Sequence, residues 1–152
     1  MFKHLLVCLD GSAHSDEALS RAIELATATP GATLELLSVW EEPFNWVTGG
    51  PLGPPSDLEA IHTLLRRDHE EIVKAAEARV PEGVAVVSSV RGGDPARSII
   101  ERADSGEIDL IVMGSRGRGW VGSALMGSVS LQVLHECDVP VLIVHAPASP
   151  GN

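Results

Sequence analysis

The sequence predicts an α/β fold: an open parallel sheet with helices on both faces. Three observations predict it. Five short apolar runs alternate with four segments of helical periodicity. The runs are nearly unbroken Leu, Val and Ile, as strands covered on both faces require. Pro and Gly punctuate the junctions, at Pro30-Gly31, Asp94-Pro95 and Pro140.

The first strand is predicted over residues 3–9. A helix from 12 to about 29 follows, with Ala18, Leu19, Ala22, Ile23 and Ala26 on one face, stopped by Pro30-Gly31. Residues 33–39 form the second strand, and a Pro- and Gly-rich loop runs from about 41 to 55. Ser56 with Glu59 three residues on reads as a capping box. The helix it opens runs to about 79, with Leu58, Ile61, Leu65, Ile72 and Ala76 on its apolar face. Residues 84–90 are the third strand. Asp94 as N-cap and Pro95 at the first helical position start a short third helix. Residues 110–113 are the fourth strand, and a helix over about 128–136 leads through Pro140 to the last strand, 141–144. We expect one domain over 1–146, and nothing in residues 147–152 calls for order.

Composition narrows the function. Aromatic residues are 3% of the chain, so aliphatic side chains must fill the core. The net charge of −10, with Lys3 and Lys74 as the two lysines, argues against a nucleic-acid partner, which needs cations to displace counterions. No apolar stretch is long enough to span a bilayer, so no membrane partner is expected. Two cysteines, Cys8 and Cys137, are too few for a disulfide framework, and a reducing, cytoplasmic location is expected.

In parallel sheets ligands bind beyond the carboxyl ends of the strands, where strand order reverses. Two strand ends carry unusual chemistry, Asp10-Gly11 and Met113-Gly114. After the latter, Gly114, Gly117, Gly119, Gly122 and Gly127 fall within fourteen residues. Glycines permit positive φ and close backbone approach to an anion. The helix beginning at Ser128 adds free N–H groups and partial positive charge, and Ser128 and Ser130 offer hydroxyls. No acid lies between Asp109 and Glu136, while Arg116 and Arg118 do. A phosphate fits that window; the plainer reading is a surface loop with solvated arginines.

Other motifs fail on inspection. A P-loop needs Gly-Lys, which this chain lacks. Gly117, Gly119 and Gly122 match GxGxxG, but no acid-ended strand follows to hold a ribose. His62 and His69 lack the HExxH pattern of a zinc site and are expected on a solvated face. Cys8 reads as strand packing, and the acids flanking Cys137 oppose its activation. Trp40 and Trp120 read as packing residues.

The spacing Gly114-x2-Gly117-x9-Gly127-Ser128 resembles the nucleotide-binding signature of the ATP-binding branch of the universal stress protein family. The first strand ending in Asp10-Gly11-Ser12, the segment ATLELLSVWEEP and the closing GSVSLQVLHECDVPVLIV are also similar to that family, so the resemblance covers nearly the whole chain. It implies a Rossmann-like sheet of the adenine nucleotide alpha hydrolase type, with strand order 3-2-1-4-5. It implies ATP and Mg²⁺ as ligands. Leu9, Val39 and Met113 would meet the base, and Asp10 would lie near ribose, phosphates and metal. Gly114, Gly117, Gly127, Ser128, Val129 and Ser130 would hold ribose and triphosphate, with Arg116 near them. Each has a plain counterpart: Asp10 as a helix cap, Val39 and Met113 as core.

The resemblance further implies a homodimer through the last strand, 141–144. The function expected is an ATP-binding regulatory or stress-response module. A slow ATPase or phosphate-transferring enzyme is the alternative, although HIGH and KMSKS motifs are absent and no general base is evident. A nucleotide-free interaction protein is the third reading.

Overall fold

The first apolar run becomes β1 (His4–Leu9), and the period-two alternation of its side chains divides the protein into two layers. Leu5, Val7 and Leu9 face one core; Leu6 and Cys8 face the other. The computed structural model describes residues 1–41, 57–118 and 126–147. In chain order β1 is followed by α1 (Ala13–Ala28), β2 (Thr33–Trp40), α2 (Leu58–Glu77) and β3 (Ala85–Gly92). Next come α3 (Pro95–Ala103), β4 (Leu110–Gly114), α4 (Ser128–Glu136) and β5 (Val141–Val144).

All strand pairs are parallel, and the sheet order is β3-β2-β1-β4-β5, as the resemblance implies. The first core packs Ala18, Leu19, Ala22 and Ala26 of α1 and Ala76 of α2 against Leu34, Leu36 and Val112. The second packs Ala96, Ile99 and Ala103 of α3 and Val133 of α4 against Leu37, Ile111 and Met113. Helices therefore cover both faces, and small alanines let them approach the central strands. One acid interrupts the second core. Glu35 of β2 is buried and receives Nε and Nη2 of Arg102 from α3 as a fork on its two oxygens.

The element boundaries follow local chemistry. Ser12 caps α1, its hydroxyl accepting the Ser15 N–H at 3.1 Å. Asp94 caps α3 as expected, accepting the Arg97 N–H at 2.7 Å. The capping box expected at Ser56 lies outside the described residues; Asp57 stands at the N-cap of α2 without a side-chain cap bond. Strands β2 and β3 run further than their apolar patterns suggest, because the ladder continues through Val39↔Arg91 and Trp40↔Gly92. Gly92 is required there: a Cβ would lie 2.3 Å from the Trp40 ring. Among the described residues, no helix is long and apolar enough to cross a membrane.

Candidate functional site

The strand order sets β1 beside β4, with Cys8 opposite Met113, so the ends of these two strands open into one crevice. A cavity of about 420 Å³ lies there, within the range of small-molecule sites. It brings together every site residue that the sequence singled out. Leu9 and Asp10 come from the end of β1, Val39 from β2, and Met113 and Gly114 from β4. Arg116 and Gly117 follow in the glycine-rich segment, and Gly127, Ser128, Val129 and Ser130 form the start of α4. Gly119, Trp120 and Gly122 lie outside the described residues. Leu37 of β2 and Pro95 and Ile99 of α3 complete an apolar wall beside Val39 and Met113.

Asp10 does not cap α1; Ser12 does. The Asp10 Oδ1 instead accepts the Ser12 N–H at 2.9 Å, and Oδ2 accepts the Arg118 N–H at 3.1 Å. Its carboxylate thus fixes the turn into α1 and ties the glycine-rich segment to the tip of β1. Ser12 adds a second tie, its hydroxyl donating to the Arg116 carbonyl at 3.3 Å.

None of the three signature glycines adopts a positive φ, and two of them are needed for close contact. At Gly114 a Cβ would sit 2.8 Å from the His14 carbonyl carbon and 2.9 Å from the Ser15 nitrogen, so α1 can cross β4 closely. At Gly117 a Cβ would meet Asp10 Oδ2 at 2.9 Å. Gly127 is different. A Cβ there would make ordinary contacts from 3.6 Å outward.

Gly127 is the N-cap of α4, with no side-chain cap bond, and its own N–H goes to the Ser115 carbonyl at 2.7 Å. The first-turn N–H groups of α4 therefore point their partial positive charge at the cavity. Ser130 differs from expectation in one respect. Its hydroxyl donates to the Gly114 carbonyl at 2.9 Å, locking α4 to β4, so its backbone N–H is the donor left to the site.

Sequence reasoning put His62 and His69 on a solvated face; both are corrected. His62 packs on the Trp40 ring, centroids 5.1 Å apart. His69 is half-buried and lines the cavity, with Nδ1 2.7 Å from the buried Ser38 hydroxyl. A helical residue's period locates it on the inner edge of α2, but nothing in the sequence pairs it with Ser38. Burial holds the His69 imidazole below its ordinary value. Nearby, Arg118 forms an ion pair with Asp68 of α2, which holds that carboxyl below its usual range. Trp40 and Cys8, both read as packing, also line the cavity. Burial pushes the Cys8 thiol far up, which suits packing and not nucleophilic chemistry.

Could the site hold a metal? Among the described residues no cluster of three or more His, Cys, Asp or Glu side chains is arranged for one. Asp10 already accepts one N–H on each oxygen. Each oxygen keeps a further lone pair, so Asp10 could help hold a magnesium ion brought in with the phosphates of a ligand.

Comparison with known proteins places the family and the fold. A universal stress protein of Thermus aquaticus is 37% identical over 145 residues, covering 95% of this chain and 99% of its own. The universal stress protein UspA from Lactobacillus plantarum has the same fold, with TM-score 0.75 and 21% identity over 94% of this chain and 97% of its own. A universal stress protein in complex with cAMP matches with TM-score 0.60 and 26% identity, over 96% and 98% of the two chains. The pattern that defines the universal stress protein family matches residues 1–145, and the chain belongs to that family.

Proposed function

We propose that the cavity binds an adenine nucleotide, ATP with Mg²⁺, and that the protein acts as a nucleotide-dependent regulatory module. The observation that carries this reading is the meeting of an apolar wall and an anion-binding end in one crevice. Leu9, Leu37, Val39, Ile99 and Met113 offer a base its apolar contacts. The N–H groups of Ser128, Val129 and Ser130, at the dipole-positive end of α4, offer phosphates their donors. Gly114, Gly117 and Gly127 keep that end free of side chains, and Arg116 lines it with positive charge. The family member solved with cAMP supports the class of ligand.

The reading includes a homodimer in the cytoplasm, joined through β5. That strand ends the sheet, and its Val141, Leu142 and Ile143 are half-buried within one chain, so a paired copy would cover an apolar edge. Equilibrium dialysis against ATP with excess Mg²⁺ tests the binding. Retention that is saturable and lost on Gly127→Asp is expected. No retention at millimolar nucleotide would overturn the proposal.

A further inference from the structure

Ser38 has one hydroxyl proton and two close neighbours. Its Oγ lies 2.7 Å from the Leu9 carbonyl and 2.7 Å from His69 Nδ1. A carbonyl oxygen cannot donate, so the Ser38 proton must lie on the Leu9 side, and Ser38 must accept from His69. The imidazole is thereby fixed with its proton on Nδ1. Its Nε2 carries a lone pair and has no hydrogen-bond partner among the described residues. The ring lines the same cavity as Asp10 and Arg118.

We propose that His69 is a specificity-determining residue, whose Nε2 accepts a hydrogen bond from a hydroxyl or amine of the bound nucleoside. The inference rests on the nucleotide reading above and deepens it. The Ser38–His69 pair is not a hydrolase dyad, since the serine proton is held by Leu9 and the hydroxyl is wholly buried. It is a positioning device: β2 orients a ring of α2 so that one nitrogen faces the sheet and the other remains for a ligand. Burial supports this by favouring the uncharged ring, which can accept. A site built to meet a ligand donor rejects an analogue lacking it, because its own acceptor is then left unpaired.

Two variants separate the nitrogens. Asn at 69 reproduces the donor toward Ser38 and removes the acceptor; Gln places an amide oxygen near the Nε2 position and gives up the Ser38 contact. Affinities of wild type, His69→Asn and His69→Gln are measured for ATP, 2′-deoxyATP, 3′-deoxyATP and the purine analogue lacking the 6-amino group. We expect His69→Asn to weaken ATP about tenfold and His69→Gln to recover part of the loss. One analogue should bind wild type and His69→Asn alike, which identifies the donor as a ribose hydroxyl or the amine. Equal losses across all four ligands, or Asn outperforming Gln, would overturn the proposal and leave His69 a structural residue. Nitrogen NMR of the ligand-free protein gives an independent check: a proton on Nε2 rather than Nδ1 would also overturn it. A wild type that binds none of the four overturns the nucleotide reading and this inference together.

Discussion

The Oδ2 of Asp10 accepts the backbone N–H of Arg118 at 3.1 Å, joining two residues 108 positions apart. The same carboxylate receives the Ser12 N–H, so the entry to α1 and the glycine-rich segment are held from one point. Gly117 lies so close to this carboxylate that a Cβ would intrude at 2.9 Å.

Replacing Asp10 by Ala removes both acceptors. We expect a loss of about 1–3 kcal/mol in stability, the range for stranding hydrogen-bonding groups that are partly buried. Urea denaturation measures it. Amide exchange at Arg118 should accelerate in the variant, and an unchanged rate there would show that the segment is held by other contacts.

Gly114 and Gly127 belong to the same spacing signature and should respond differently to Ala. At Gly114 the new methyl strikes the α1 backbone at 2.8 Å, and a backbone cannot rotate away. Overpacking of this kind costs about 1–3 kcal/mol. At Gly127 the nearest atoms are 3.6 Å distant, and the cost should stay below about 1 kcal/mol, as for a poor N-cap residue. Parallel thermal melts of the two variants decide this, and equal shifts would contradict the contact geometry.

Much of the architecture was legible because its signals are local. Strand β1 reads from its apolar run, and α3 from Asp94-Pro95 alone. Part of the cavity lining was expected too, through the family resemblance that the spacing from Gly114 to Ser128 carries, whereas Leu37, Pro95 and Ile99 enter it only through packing. His69 was not. Its chemistry depends on Ser38, 31 residues earlier, through a contact that exists once α2 packs on β2. The role of Gly114 was also hidden, because its neighbour is the backbone of α1 rather than a ligand.

Acid should weaken the fold partly through His69. Burial depresses its folded-state value; Asp68 pulls it upward, Arg118 pushes it downward and Asp10 pulls it upward. The unfolded chain therefore takes up the proton first. The neutral ring imposes no penalty above the ordinary imidazole value of about 6.5, and stability falls as pH drops through it toward the depressed value. Between pH 7.5 and 5.5 the wild type should lose more stability than His69→Gln. Identical slopes in urea titrations across that interval would contradict the shift.

The Glu35–Arg102 pair gives a separate test of the second core. The Glu35 side chain retains 9% of its exposure and that of Arg102 14%. Truncating Arg102 to Ala leaves a buried carboxylate without its fork, a loss of about 3–5 kcal/mol. The double variant Glu35→Leu, Arg102→Met should recover most of it. A single variant as stable as wild type would show that His4 Nε2, 3.3 Å from Glu35, or water compensates for the lost guanidinium.

The central claim is that the crevice between β1 and β4 holds ATP, and native mass spectrometry tests it most directly. Wild type and Gly127→Asp are compared with Mg-ATP added. Asp is a good N-cap and its Cβ meets only ordinary contacts from 3.6 Å outward at this position, so the variant should fold while its charge repels phosphate. The account predicts a mass gain of one ATP per chain in wild type and none in the variant. A wild type that keeps its unliganded mass in excess Mg-ATP would contradict it.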